Sequence, residues 1–430
     1  MFEFANGLLL ALFAAALVDA VLAVHTAVPG AGRWVRAGRS LWREPHFLFG
    51  HWGAAWRTRV GFWLFAVGLA AYEIGVTFCN SMARQNWPWV QDILSPLLDW
   101  VAFLCFGAKI LFGTRYTWRS LGLAGCLYFI ARWTYFNSQN IWWIGIAVAV
   151  MAAKDVPLDR ALRGFLAAGI LSVGVVMALH GAGIVSPELV SERLGELRGT
   201  YGYGHPNTFG GLVFGLVLAW VLVRAKRLHY ADAALLFAVG VFLMVGPASR
   251  TAALCTLLLA VLVVWCCLRR GKPMPRAAAW GAAAAVPLVA AVSYLLPLPL
   301  VKIGPWNSDF GPSWLARIDQ LLTHRLSLSW TAYRVLDLKI AGQVLPEWPP
   351  LDNSFVFAAY QFGPVVALLL AVLLTATLWH TARQNRRAET CCLLVMLVYA
   401  FMEMQSFHLT TNPAALLLCG AMYWFETKDD

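Results

Sequence analysis

Arg250 is the residue whose position most clearly indicates chemistry. It stands in the run from Gly246 to Thr251 (Gly-Pro-Ala-Ser-Arg-Thr), at the junction of two long apolar stretches. A guanidinium in or near the hydrocarbon of a membrane is costly unless it reaches water or pairs with an anion. The position therefore predicts a polar cavity that holds an anion, with Ser249 as a supporting residue.

A second polar segment runs from Arg198 to Asn207 (Arg-Gly-Thr-Tyr-Gly-Tyr-Gly-His-Pro-Asn). Its glycines permit tight backbone geometry beside a ligand, and Asn207 is a fair N-cap for the apolar helix that follows. A helix start that points at the cavity adds partial positive charge for an anion. Glycine spacing alone is a weak phosphate signal, and a helix start with glycines for packing explains it equally well. Tyr203 is included as a supporting residue.

A third polar segment extends from Arg317 to Asn353. Arg325 lies in it without a sequence neighbour that plainly neutralises it, and the same holds for Arg198 and Arg250, although Glu196 is an alternative partner for Arg198. A planar guanidinium suits a phosphate or pyrophosphate held through two hydrogen bonds. Ordinary surface ion pairs explain other basic residues of this region: Arg193, Arg334 and Lys339.

Composition determines what kind of protein must position these residues. Hydrophobic residues make up 60% of the 430-residue chain and charged residues only 13%, which indicates a polytopic membrane protein. We predict an all-α membrane domain over residues 1–430 with about 12–14 transmembrane helices. The first three residues lack the basic region of a signal peptide, so the first stretch is expected to be retained. Candidate helices begin around Asn6, Val60, Leu98, Ser120, Ile141, Gly164, Thr208, Ala233, Thr251, Ala277, Phe355, Cys391 and Pro413.

The basic residues predict an orientation in the membrane. The chain has 33 Lys and Arg against 22 Asp and Glu, and the basic residues cluster in alternate loops. By the positive-inside rule these loops are cytoplasmic, so the net charge of +11 reflects topology and no nucleic-acid partner is expected. The segment near Arg198 and the loop of residues 301–352 then face outward. The basic loops lie around Arg33–Arg59, Arg115–Arg119, Lys154–Arg163, Arg224–Arg227, Arg269–Arg276 and Arg383–Arg387.

Residues 301–352 form the one long hydrophilic insertion. Apolar residues recur there at helical spacing from Leu315 to Leu326 and again from Trp330 to Ile340, which predicts short helices on the membrane surface. A capping lid is the simpler alternative. The nine cysteines show no metal-ligand or disulfide spacing, and no D-x-D motif demands a metal on the outer face. Other intramembrane ionisable residues are expected to be structural because they lie far in sequence from these segments: Asp19, Glu73, His180, Glu403 and His408.

Four segments together resemble the Wzy-type O-antigen and capsule polymerases, nearest to the Gram-positive capsular branch. They are Arg198–Gly211, Ser249–Thr251, Arg325–Leu326, and Leu351–Ser354 ahead of the Tyr-Gln-Phe-Gly run that begins at Tyr360. The resemblance covers roughly residues 190–370. The resemblance rests on the order and spacing of the four segments, because no single motif among them is specific.

The resemblance implies a bacterial cell-membrane enzyme with a helical architecture like that of C-type glycosyltransferases and an outward-facing active site. Its substrate would be an undecaprenyl-pyrophosphate-linked oligosaccharide in the lipid membrane, delivered by a flippase, with a chain-length regulator as a further partner. The growing glycan would leave its pyrophosphate carrier and join the next unit. Neither a cofactor nor a metal is expected, because the arginines would take the place of a cation.

Site roles follow from this chemistry. Departure of pyrophosphate needs charge stabilisation, for which Arg198, Arg250 and Arg325 are candidates, each contributing about 2 to 4 kcal/mol. Asp352 is the first candidate for the general base and His205 the second. Related ligases carry His-Asn where this chain has Asp352-Asn353. The alternatives are that Asp352 caps the following helix and that His205 makes only an orienting hydrogen bond. Arg317, Asn353 and Tyr360 are supporting candidates.

Two other functions remain open at this point. An O-antigen-ligase-like enzyme would transfer a glycan once to a different acceptor. A flippase or exporter of lipid-linked oligosaccharides would need alternating access, often built from repeats in both halves of the chain. The concentration of polar motifs in one part of the sequence favours an enzyme.

Overall fold

The computed structural model describes residues 46–48, 53–185, 191–193, 196–300 and 313–423. Within these residues the protein is a helical bundle, and seven helices are long and apolar enough to span a membrane. The prediction of a polytopic all-α membrane protein is therefore confirmed at this level. The candidate helix near Asn6, its predicted retention, Asp19, and the part of the long loop before residue 313 lie outside the described residues.

The helices are numbered in chain order, and short π or 3-10 turns adjoin several of them. They are α1 (Ala54–Cys79), α2 (Ala83–Asn86), a π turn (Val90–Leu94) continuing into α3 (Ser95–Phe112), α4 (Trp118–Ser138), α5 (Ile141–Ala152), α6 (Leu158–Gly181), α7 (Pro206–Arg224), α8 (Tyr230–Val245), α9 (Arg250–Leu268), α10 (Arg276–Leu295), α11 (Ser313–Leu321), α12 (Arg325–Val335), α13 (Ser354–Phe357), a π turn (Ala358–Phe362), α14 (Pro364–Arg383), α15 (Arg387–Met402), 3-10 turns (Met404–Phe407 and Pro413–Leu417) and α16 (Leu418–Met422). Two antiparallel pairs of short strands complete the described part: β1 (His46–Phe47) with β2 (Arg115–Tyr116), and β3 (Ser191–Arg193) with β4 (Glu196–Arg198).

Several predicted spans are shorter than a full crossing. The stretches near Ile141, Ala233 and Pro413 form short apolar helices. The stretch predicted from Phe355 is broken, because Gly363 has a φ of 89° and separates the π turn from α14. Only glycine adopts that backbone conformation without strain. Pro364 then begins α14, a position where its missing N–H costs nothing.

Helix α7 lies at the centre of the bundle. In the most apolar 18-residue stretch of α7, 72% of the residues are buried. The corresponding value for the other six long apolar helices is 28–44%. Glycines allow close approach along it: a Cβ on Gly215 would overlap the Thr410 carbonyl, and one on Gly210 would overlap the Ser249 side chain. Around this centre α1 packs on α3 and α6, α6 on α7, α8 on α9, α9 on α15, and α10 on α14. The start of α7 therefore lies where several helices meet.

The long loop contains two short helices, α11 and α12, as its first apolar pattern predicts. Leu300, Leu315 and Leu326 form a small core there. Buried Asp319 accepts a hydrogen bond of 3.0 Å from the Ser327 amide and thereby joins α11 to α12. The second apolar pattern is a wrong prediction beyond Val335, where the helix ends.

The chain beyond α12 is non-helical because it packs along the π turn of residues 358–362. The Gln343 amide donates to the Gln361 carbonyl at 3.1 Å. A Cβ on Gly342 would overlap the same carbonyl. Leu338 and Ile340 are exposed in this stretch, so their helical spacing does not form a buried helix face.

Candidate functional site

Arg198 ties the end of β4 to the loop that precedes α9. Its side chain is buried, and its Nη2 donates to Asn207 Oδ1 at 2.7 Å and to the Ala248 carbonyl at 3.2 Å. Its Nε donates to the Pro247 carbonyl at 3.3 Å. The segments predicted around Arg198 and Arg250 therefore meet in space.

His205, and not Asn207, caps helix α7. The Asn207 amide donates to His205 Nδ1 at 3.1 Å, so the expected N-cap role of Asn207 is wrong and the alternative of an orienting hydrogen bond for His205 is present. A neutral imidazole that accepts at Nδ1 carries its proton on Nε2. His205 can act as a base at Nε2 only if its proton sits on Nδ1 instead. The hydrogen bond from the Asn207 amide to Nδ1 would then have to break.

The side chain of Asn207 is turned to other partners. Its Oδ1 accepts from Arg198, and its Nδ2 donates to Glu403 Oε1 at 3.4 Å. An amide between a cation and a carboxylate satisfies both of its polar ends. Asn207 is thus the link between Arg198 and the part of the site that contains Glu403.

Arg325, at the start of α12, is the most extensively bonded cation of the site. Its Nε donates to Asp352 Oδ2 at 3.1 Å, its Nη2 to Glu403 Oε1 at 2.6 Å and its Nη1 to Thr251 Oγ1 at 3.2 Å. Burial acts to lower the pKa of Arg325, but Glu403 and Asp352 together raise it above its ordinary value. A guanidinium has five N–H donors, and these three bonds leave two of them without a partner among the described residues.

Glu403 belongs to this site, although its distance in sequence led us to expect a separate structural role. It follows α15, is buried, and accepts hydrogen bonds from both Arg325 and Asn207. Burial raises the pKa of Glu403, and the ion pair with Arg325 opposes that rise. The signal available in the sequence was a carboxylate at the end of an apolar stretch, which needs a cationic partner. Sequence did not show that the partner is Arg325.

Asp352 and Asn353 have different roles: Asn353 caps a helix, and Asp352 pairs with Arg325. Asn353 Oδ1 accepts from the Phe355 amide at 2.9 Å and the Val356 amide at 3.2 Å, so Asn353 caps α13 and the capping alternative for Asp352 is wrong. Asp352 contacts Arg325 with one oxygen, and its side chain is 32% exposed. An acceptor group can therefore approach the Asp352 carboxylate from outside.

Arg250 is the first residue of α9 and is exposed. Residues on both sides of Arg250 accept hydrogen bonds from the buried arginines: the Ala248 carbonyl accepts from Arg198, and Thr251 Oγ1 accepts from Arg325. Ser249 is buried against Gly210 and makes no capping hydrogen bond. The loop that carries Arg250 thus lies between the two buried arginines, at the start of a helix.

We call the connected set Arg198, Asn207, Glu403, Arg325 and Asp352 the arginine–carboxylate network. Three other predicted site residues lie outside its hydrogen bonds. Tyr203 is fully buried against Phe209, and Arg317 is exposed on α11. Tyr360 stacks on Tyr333, with 6.2 Å between ring centroids.

Tyr360 lines an apolar cavity of about 590 Å³ beside the network. The cavity lies between α10, α13, α14 and α15 and includes Ser354, whose Oγ donates to the Glu403 carbonyl at 2.5 Å. A mostly apolar cavity that adjoins a few polar groups is the usual form of a ligand site. Representative lining residues are Tyr294, Leu295, Phe355, Leu368 and Leu397.

In the part of the chain that the structure describes, no three His, Cys, Asp or Glu side chains come together as a metal site. The polar chemistry of the network consists of guanidinium donors, two carboxylates and one amide. Such a set can hold an anion and accept a proton. Comparison of the chain with protein-family models, curated proteins and solved structures finds no match.

Proposed function

We propose that this protein is a membrane glycosyltransferase that polymerises glycans carried on a lipid pyrophosphate, within a bundle of about a dozen membrane helices. The observation that supports it most is that Arg325 binds the carboxylates of Asp352 and Glu403 and is linked through Asn207 to Arg198, beside an apolar cavity. A lipid-linked pyrophosphate has a matching charged group and apolar tail.

The diphosphate would bind to Arg325 and Arg250. Arg325 keeps two N–H donors after its three bonds to described residues. Arg250 is exposed at the start of α9, and a helix start carries partial positive charge that favours anions. The bound anion would therefore meet a guanidinium fixed by carboxylates and a second one at a helix start.

The isoprenoid part of the substrate would enter the apolar cavity between α10 and α14. Its volume of about 590 Å³ suits a drug-sized apolar group, so it would hold the isoprene units nearest to the pyrophosphate while the rest of the tail stays in the bilayer. Tyr360 and Tyr294 line this cavity. Tyr360 thus supports lipid binding and not the transfer step.

The transfer step needs one base. An acceptor hydroxyl of the incoming unit gives its proton to the Asp352 carboxylate while its oxygen bonds to the anomeric carbon of the growing chain. The bond from that carbon to the pyrophosphate oxygen breaks, and the pyrophosphate leaves with the electron pair, stabilised by Arg250 and Arg325. Asp352 then releases its proton to water through its exposed face.

The setting follows from the charge pattern of the loops. Because basic loops favour the cytoplasmic side, the network would lie near the outer leaflet of a bacterial cell membrane. A flippase would supply the substrate there, and a chain-length regulator would act on the product. A ligase would use the same network with another acceptor.

The function is tested with the full chain, purified in detergent and given a synthetic undecaprenyl-pyrophosphate oligosaccharide. We expect a ladder of extended glycans on a gel. Asp352→Asn should lower the rate about a hundredfold or more, since it removes the base. Asp337→Asn is the matched control, because Asp337 is exposed in the same loop and should retain the wild-type rate.

The other outcomes separate the alternatives. Transfer of a single unit to a different acceptor would identify a ligase and overturn polymerisation. An unchanged glycan, combined with movement of the lipid across a vesicle membrane, would identify a transporter. Equal rates for Asp352→Asn and the wild type would remove Asp352 from the mechanism.

A further inference from the structure

A second, larger cavity lies at the opposite end of the same helices. Its volume is about 1760 Å³, and it is lined by the ends of α7 and α9 and the start of α15. The network contacts the other ends of these three helices, through Asn207, Thr251 and Glu403. Since α7 has 19 residues, about 28 Å separates the two ends.

The lining of this cavity is strongly cationic, and we call it the basic cavity. Eight basic side chains line it against three acidic ones. The acidic residues pair locally: Asp155 with Arg115 and Lys154, Asp159 with Arg163, and Glu389 with Arg386. The remaining basic residues form no ion pair within the described residues; they are Lys226, Arg227, Arg270 and Arg387.

Arg387 is the most informative of these cations. It is only 8% exposed, and its Nε has no hydrogen-bond partner within the described part of the chain. Its Nη1 donates to the Arg269 carbonyl, and its guanidinium lies 5.7 Å from the Trp265 ring centroid. A buried cation without a carboxylate is costly. The unused Nε–H is therefore a donor that a bound anion would satisfy.

We propose that the basic cavity binds a phosphate-bearing anion. The positive-inside rule explains why these loops are basic, but it requires neither that the basic residues surround a cavity nor that one of them is buried. Basic pockets between membrane helices at the cytoplasmic side bind phosphate headgroups of lipids. A phospholipid headgroup and a soluble phosphate compound present the same group to these donors. The proposal is independent of the proposed transferase activity.

Binding is measured by protection of a cysteine in the full-length protein. Cys267 lines the basic cavity and is partly exposed, whereas Cys126 is exposed on α4 outside it. The rate of maleimide modification at each cysteine is followed by peptide mass spectrometry. One arm adds inorganic pyrophosphate to protein in neutral detergent. The other compares nanodiscs of phosphatidylcholine alone with nanodiscs that also contain phosphatidylglycerol.

We expect slower modification of Cys267, but not of Cys126, in at least one arm. Protection by pyrophosphate identifies a soluble phosphate as the source, and protection only by phosphatidylglycerol identifies a lipid headgroup. The variant Arg227→Gln/Arg270→Gln should weaken binding on the order of thirtyfold. The matched variant Lys272→Gln/Arg276→Gln removes the same charge from exposed residues outside the lining and should bind as the wild type does.

Two results would overturn the proposal. The first is unprotected Cys267 in both arms. The second is an equal loss of binding in both double variants, because that would assign the effect to general surface charge. Arg387→Met supplies an independent readout: phosphate should raise the melting temperature of the wild type and raise that of the variant less.

Discussion

Arg325 and Arg387 show how the two ends of the bundle treat the same side chain. Each arginine is only 8% exposed. Arg325 contacts two carboxylates, at 2.6 and 3.1 Å. Arg387 contacts a backbone carbonyl and an aromatic ring, and its Nε remains without a partner in the described residues. The two arginines are equally buried, so they differ in the source of the negative charge that neutralises them. For Arg325 the protein supplies it, and for Arg387 it must come from outside the described residues.

At the network end the protein supplies most of its own counter-charge. Within the network the two arginines, Arg198 and Arg325, balance the two carboxylates, Asp352 and Glu403, so that folding demands no external anion. The basic cavity has an excess of five positive charges. The basic side chains of this cavity repel one another until an external anion binds among them. The first arrangement suits catalysis, in which fixed dipoles act on a transient charge, and the second suits binding.

The largest predicted effect is on the melting temperature of Arg325→Met compared with Arg387→Met. Removing Arg325 leaves Glu403 buried without its cation, which should destabilise the protein by about 3–5 kcal/mol. Removing Arg387 exchanges an unpaired buried cation for an apolar side chain and should be neutral or stabilising. Thermal unfolding of both variants, purified in phosphate-free neutral detergent, measures the difference.

A second substitution checks the cause. Adding Glu403→Gln to Arg325→Met should restore part of the lost stability, since the unpaired charge is then gone. No restoration, or equal melting temperatures of the two single variants, would contradict the comparison between the two ends.

The fold class was predictable because composition alone requires a membrane bundle, and helix starts such as Pro206 carry local signals. The break at Gly363 was not predictable, because the residues from Phe355 to Arg383 are apolar enough to be taken as one helix. The π turn and the packing of Gly342 against it depend on tertiary contacts. Helical periodicity reports only what one segment prefers.

The site was predictable as a set of segments but not as a set of bonds. Arg198 and Arg325 were found from their residue types and Asp352 from the resemblance to a known family, and the structure connects them. Glu403 was missed because it is far away in sequence, and the caps of α7 and α13 were assigned to the wrong neighbours. Capping depends on backbone angles at single residues, and ion pairing depends on which helix ends meet. Neither can be read from one sequence.

The second prediction compares Arg250→Lys with Arg276→Lys. Each arginine is exposed and is the first residue of a long helix, but Arg250 starts α9 beside the network and Arg276 starts α10. Lysine keeps the charge and loses the planar pair of donors. Glycan extension should fall about a hundredfold for Arg250→Lys and stay unchanged for Arg276→Lys, with both variants folded. A full rate for Arg250→Lys would remove Arg250 from pyrophosphate binding.

The smallest predicted effect compares two helix caps, Asn353→Ala and Thr117→Ala. Thr117 caps α4 two residues after Arg115, which lines the basic cavity, through reciprocal hydrogen bonds with Ser120 of 2.9 and 3.2 Å. Its loss should cost about 1 kcal/mol, the usual contribution of a cap. Asn353 also donates to Ser293 Oγ at 3.0 Å and to the Phe401 carbonyl at 3.1 Å, and so joins α10 and α15 to α13.

Loss of Asn353 should therefore cost about 2 kcal/mol or more, because buried acceptors lose their donor together with the cap. Asn353→Ser separates these contributions: it keeps a capping oxygen and removes the two bonds that the Asn353 amide donates. If Asn353→Ser had the melting temperature of the wild type, the cap alone would account for the role of Asn353, and the tighter cross-linking that distinguishes the network end would be absent. A melting temperature between those of Asn353→Ala and the wild type is the expected result, since the position then acts both within its helix and between helices.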